Sequence, residues 1–464
     1  MMSKRTALWL AIGGLVSGGM LPSASAADSF VTDAHFRASA DAVDTVRPAH
    51  ASVDQAADGS AVRQVGYCQC DATGPCVCGA SCDTVCEPAC GCEGGCDTCG
   101  GGLGDGGLLS CLFDCDLGEP SALFGEANGL AIGGWVSTGY HTAALPLFNN
   151  RPNEFQVHQA WVYAEKAIDT SNGFDLGGRI DYIYGTDGPD TQAFGINNDH
   201  WDNDWDNGPD NSGYGHAIPQ LYGEAGYGDV SVKFGHFYTI IGWEVVAAPD
   251  NFFYSHAYTM YNSEPFTHTG VLATTNLSDD LSVYGGYVLG WDSGFEDNGD
   301  AFLGGASLAL NDDVTLTYAT VGGRFGRDVV NGANSERGYM HSIVTDVALT
   351  DQLQYIGQSD LLESEDAAGN VVRSTYGLNN YLIYTLSDCL AYGGRFEYYN
   401  ANEGIYNSDN DIYALTMGVN FKPHANLLFR PEIRWDWVDG NPAGILEDND
   451  DQQTTFGFDS IVLF

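Results

Sequence analysis

The most restrictive feature of this sequence is a two-residue alternation sustained through long segments. In 429–437, Phe429, Ile433, Trp435 and Trp437 share one parity, and Arg430, Glu432, Arg434 and Asp436 fill the other. Tyr392, Phe396 and Tyr398 alternate with Arg395 and Glu397, and Phe174, Leu176, Ile180 and Tyr182 with Arg179 and Asp181. Successive side chains of a strand point to opposite faces, so each segment reads as a strand with one apolar and one polar face. A soluble sandwich alternates too, but its strands usually stop at about 5–6 residues. Here the segments are longer, and their connections alternate between tight and long.

Sixteen strands are predicted, near 129–140, 155–168, 173–185, 215–226, 230–241, 267–277, 281–291, 300–310, 314–325, 338–349, 352–362, 372–386, 390–400, 411–422, 426–437 and 453–464. The second connection and every alternate one after it are short, and the intervening ones are long, acidic and rich in Gly and Asn. That arrangement predicts an all-β, antiparallel transmembrane β-barrel over 128–464, with short periplasmic turns and long external loops. An even strand count places both ends of the barrel on the periplasmic side.

Charges on the second parity cannot face hydrocarbon, where an Arg at the midplane costs about 2–4 kcal/mol. Arg179, Asp181, Lys233, Arg395, Glu397, Arg430, Glu432, Arg434 and Asp436 are therefore expected to line a pore. The third long connection, 242–266, carries Glu244, Asp250 and Glu264. By analogy with general porins of sixteen strands it is expected to fold inward as a constriction loop, its carboxylates facing wall arginines.

The chain opens with Lys4 and Arg5, an apolar run from Thr6 to Leu21, and Ala24-Ser25-Ala26, the pattern of a signal peptide (1–26) cut after Ala26. A flexible polar lead over 27–66 follows. The segment 67–118 holds Cys68, Cys70, Cys76, Cys78, Cys82, Cys86, Cys90, Cys92, Cys96, Cys99, Cys111 and Cys115. So short a stretch cannot bury a useful core and needs cross-links or metal. In an exported protein its even count favours disulfides; a thiolate cluster for a soft metal and intermolecular linkage to the envelope stay open. Cys389, alone in the later chain, reads as a free or buried thiol.

With 62 acidic against 17 basic residues, the chain lacks the basic clusters that nucleic acid or an anionic surface would need. The acidic loops instead predict a modest preference for cations. Asp202, Asp204 and Asp206 alternate in a calcium-like way, but Gly208 falls one place late and position twelve is Gly213 rather than a bidentate Glu. No cofactor is expected: a loosely held divalent cation there competes with a plain solvated acidic surface. His141, His158, His236, His256 and His268 form no recognisable Ser, His and acid spacing, so no enzyme is expected.

The last strand places Phe456, Phe458, Ser460, Val462 and Phe464 on one parity. This resembles the terminal motif by which the barrel-assembly machinery recognises outer-membrane proteins, with Phe464 as its signal. Gly235-His236-Phe237, Gly242-Trp243-Glu244, Asn251-Phe252-Phe253-Tyr254-Ser255, His268-Thr269-Gly270-Val271 and Gly290-Trp291-Asp292 resemble the OmpL-like β-barrel porin family over roughly 131–464. The resemblance implies a porin in outer-membrane lipid, passing small hydrophilic solutes or ions. It says nothing of the cysteine-rich segment. The competing expectation is a structural or surface protein, a plugged barrel anchored through that segment. The sequence leaves a monomer and a homotrimer both open.

Overall fold

The computed structural model describes residue 117 and residues 120–464, except 125, 128, 146–147, 194, 196–199, 206–212, 297–298, 327–335 and 404–408. The signal peptide, the lead and the twelve clustered cysteines lie outside the described residues.

Sixteen long strands form the barrel. They are β1 (Leu130–His141), β2 (Gln156–Lys166), β3 (Asp175–Gly185), β4 (Gly215–Tyr227), β5 (Val230–Tyr238), β6 (Thr267–Ser278), β7 (Leu281–Val288) and β8 (Asp300–Asn311). The series continues with β9 (Val314–Gly326), β10 (Glu336–Thr350), β11 (Leu353–Glu365), β12 (Val371–Ser387), β13 (Leu390–Glu403), β14 (Asn410–His424), β15 (Leu427–Asp439) and β16 (Gln452–Leu463). Each pairs antiparallel with its neighbour in sequence, and β16 returns to β1 with partners from Gly457↔His141 to Leu463↔Trp135. Phe464 extends that seam: its N–H donates to the Gly134 carbonyl at 2.9 Å, and its own carbonyl accepts from the Gly134 N–H at 3.0 Å. Closure leaves no edge unpaired, as a backbone in hydrocarbon requires. A two-residue strand, Glu126–Ala127, adds one short rung against β1.

The alternation resolves into two faces. Phe302, Phe396, Met417, Phe456 and Val462 are about half exposed on the outside, an apolar surface that suits lipid and would be costly in water. The other parity points inward and is polar or small. At the ladder partners Asp181↔Gln220 and Ile183↔Ala217 the register shifts, so that Pro219, which has no N–H to donate, sits in a bulge of β4.

Two expectations need correction. The connection after β11 is not long: Glu365 pairs with Val371 across a five-residue turn, 366–370. The Asp366 side chain closes it by accepting from the Ala368 and Asn370 N–H groups, so the strands run on beyond the predicted ends. Cys389, in the turn between β12 and β13, is not a free thiol; it is disulfide-bonded and buried.

Candidate functional site

Residues 239–266, between β5 and β6, fold into the barrel. The segment carries enough apolar surface to behave as core: Trp243, Phe252, Phe253, Tyr254, Tyr258, Met260 and Phe266 are all buried. Gly242 turns the chain inward at φ +90°, with the Glu264 carboxylate packed where a side chain would stand. The Thr239 N–H donates to the Phe266 carbonyl and ties the neck. Inside, Asn251 donates to the Val245 and Ala247 carbonyls and accepts from the Val245 N–H, which shapes a turn before the short helix α1 (Tyr258–Ser263).

Glycines of the wall make room for this loop. A Cβ at Gly393 would stand 2.3 Å from the Phe252 ring, one at Gly377 2.4 Å from Thr259 Oγ1, and one at Gly457 2.8 Å from Tyr254. Each belongs to the inward parity, so side chains of the loop, two of them aromatic, sit in recesses cut into the wall.

A ladder of buried charges then fixes the backbone. Arg395 donates to Glu244 Oε1 at 2.6 Å, to Glu397 at 2.8 Å and to the Ser255 carbonyl at 2.7 Å. Arg434 bridges Glu397 and Asp436 and reaches the His256 carbonyl. Arg430 grips Asp459 through two nitrogens and donates to the Ala248 and Asn251 carbonyls. In the other direction, Glu432 accepts from the Tyr254 and Ser255 N–H groups, Glu397 from Tyr258, and Glu244 from Ala257. Each guanidinium is thus satisfied by a wall carboxylate and a loop carbonyl together, and each of these carboxylates by an N–H. Burial alone would raise the Glu244 carboxyl, but Arg395, His256 and the Ala257 N–H bring it below its usual range.

The neck is held differently. Gln358 on β11 accepts from the Trp243 N–H and donates to both Glu264 and Asp360 at 2.6 Å. Glu264 therefore meets an amide and a second acid rather than an arginine. Burial and the adjacent Asp360 push its carboxyl well above the ordinary range. On the β1–β2 side the Tyr254 hydroxyl lies between His141 Nδ1 (3.1 Å) and His158 Nε2 (2.7 Å), and His158 leans on Asp187. Gln159 pins the Val246 carbonyl and the Ala248 N–H.

The nine wall residues singled out from sequence all point inward, but they separate into two groups. Arg395, Glu397, Arg430, Glu432, Arg434 and Asp436 come together beneath the loop, at most 5% exposed. Arg179 instead joins Asp181 and Glu165 under Tyr163 near the periplasmic turns, and Lys233 lies over the Tyr222 ring at 4.7 Å. Glu244 contacts Arg395 directly, with no gap between them; Asp250 ends the short turn Ala248–Asp250. Asp202 spends its oxygens on the Ala193 and Ile218 N–H groups while Asp204 is exposed, and Asp206 lies outside the described residues. Among the described residues no three His, Cys, Asp or Glu side chains are grouped to hold a metal. Gln358, Gln159, Asp459 and the wall glycines went unread. Asp459 had a visible signal, an acid on the inward parity of the last strand.

A family described as "Putative beta-barrel porin-2, OmpL-like" matches residues 129–464, the whole barrel. The chain belongs to this family. Among solved structures, OmpF of Salmonella typhi in complex with daunomycin is similar at TM-score 0.52 and 13% identity, covering 72% of this chain and 97% of that one. OmpT of Vibrio cholerae in its trimer form is similar at TM-score 0.50 and 13% identity, covering 72% and 99%. At that identity the likeness is one of fold. No curated protein matches in sequence. The family and the barrel together make this a porin-like protein of the outer membrane.

Proposed function

We propose that this porin-like barrel passes small hydrophilic solutes or ions by passive diffusion, with the inserted loop as its constriction and a modest preference for cations. The observation that carries this reading is the loop's seating inside the barrel, held to the wall by hydrogen bonds as well as by apolar packing. Hydrogen bonds tie it to β1, β2, β11–β13 and β15, and it is clamped there through its backbone rather than laid across the mouth. Toward the periplasmic turns the inward face opens, and Arg179 and Glu165 keep 17% and 21% of their side-chain surface exposed. Cation preference is supported by the buried ionisable groups of the strands: eight carboxyl groups against five basic groups among the described residues. Carboxylates that outnumber their partners hold a negative potential along a low-dielectric wall. Planar-bilayer recording tests the proposal, with stable conductance steps and a cation-selective reversal potential expected under a salt gradient.

A second reading, a plugged structural barrel, is favoured by one observation: inward charged side chains at the level of the loop are sealed from solvent. It expects no steps from folded protein. Export by the signal peptide, recognition of Phe464 during assembly, and a homotrimer like the OmpT form belong to the first proposal. Cross-linking of the folded protein tests the last.

A further inference from the structure

We propose that the external rim of the barrel binds the phosphate of an outer-leaflet lipid headgroup, on a row of four charges spanning β8 to β11. The register sets the row. Arg324 on β9 is the direct partner of Asp300 on β8 and of Arg337 on β10, and Arg337 is the direct partner of Glu365 on β11. Four neighbouring strands therefore present acid, guanidinium, guanidinium, acid at one height. Arg324 is ion-paired with Asp300, and Arg337 with Glu365 at 2.8 Å.

The row faces away from the lumen. It shares the parity of Phe302, Tyr318, Tyr339 and Leu361, all well exposed on the lipid side. It stands at the ends of β9 and β10 that flank a long external connection, above that apolar belt. Among the described residues, Arg324 and Arg337 are the basic side chains that strands turn outward at this rim. Like charges placed directly opposite across a ladder repel. Each guanidinium pairs with the acid on its own outer side, Arg324 with Asp300 on β8 and Arg337 with Glu365 on β11. Each guanidinium has five donors, and its acid occupies only part of the set. The remaining donors border an open groove of about 850 Å3 lined by Asp300, Arg324, Arg337, Glu365 and Ala367. A phosphate monoester, with several acceptor oxygens, would accept from both arginines at once while its acyl chains lie along the aromatic belt. Both side chains are about half exposed, so nothing must move to admit it.

The probe is phosphatidic acid added to the purified full chain in neutral detergent, with bound lipid counted by native mass spectrometry and phosphatidylcholine as reference. Phosphatidic acid should bind the wild type at least tenfold more tightly than phosphatidylcholine. R324Q/R337Q should lose that preference, and R324K/R337K should keep part of it. Equal binding by wild type and the Gln variant would overturn the assignment, as would displacement of the lipid by inorganic phosphate at equal concentration, which would show a free-anion site. Loss of the preference in wild type between 0.05 and 0.5 M salt is expected on the same grounds and needs no variant. Insensitivity to salt would count against it.

Discussion

At the residue scale the loop hangs on a few side chains that each serve two masters. Arg395 neutralises Glu244 of the loop and Glu397 of the wall, and also holds the Ser255 carbonyl. Replacing a buried ion pair by apolar groups can be neutral, but removing one partner strands the other charge, at about 3–5 kcal/mol. Arg395→Met is therefore expected to destabilise the folded protein by about that much, whereas Arg395→Met with Glu244→Gln should recover part of the loss, as read by denaturant unfolding in micelles. Gly393 makes a separate case. Its Cβ would overlap the Phe252 ring, so Gly393→Val should cost about 1–3 kcal/mol and release the loop to proteases while the barrel stays folded. The inward parity of Arg395, Glu397, Arg430 and Arg434 was legible in sequence, because alternation reports the face on which a side chain sits. Their partners in the loop were not. Contact between Arg395 and Ser255 joins positions 140 apart, and no local pattern carries that pairing.

At the element scale, the strands could be read from local pattern and the course of the long loops could not. Strand ends could be placed from alternation and from turn residues to within a few positions, since both are local. The connection 242–266 was expected to turn inward by analogy alone. Its apolar residues, which follow no two-residue period, were the physical reason it had to be buried. The next connection, at 289–299, docks on that loop: Asp292 accepts from the Phe266 and Thr267 N–H groups. Burial is the main cause that raises the Asp292 carboxyl, to about 7. The folded chain thus keeps a proton that the unfolded chain releases near its ordinary value of 3.8. Stability should fall as pH rises from about 4 to about 7, by up to about 4 kcal/mol for this group, and level off above. Asp190 and Asp202 are raised by burial in the same sense, so the informative quantity is a difference between proteins. Asp292→Asn keeps the accepting Oδ1 and cannot release a proton. Its melting temperature should change less between pH 4 and pH 8 than that of the wild type.

At the scale of the whole molecule, a constricted pore and a filled barrel make opposite predictions, and the loop itself can decide between them. The barrel closes through its own ladder, with β16 hydrogen-bonded to β1, so its integrity does not depend on the inserted segment. Excising 243–263 and joining the neck, where Thr239 and Phe266 are already bonded, should leave a folded barrel that resists unfolding in cold dodecyl sulfate. The excision would also uncover Arg395, Arg430 and Arg434 with their carboxylates, converting a sealed charge ladder into a water-facing one. A constricted pore predicts conductance steps in the wild type and steps several times larger in the excised form, with weaker cation preference because Glu244 is gone and the arginines are exposed. A filled barrel predicts silence in the wild type and steps only after excision. If neither protein conducts while both are folded, the interior is occluded by something other than the loop, and passive diffusion is not what this barrel does.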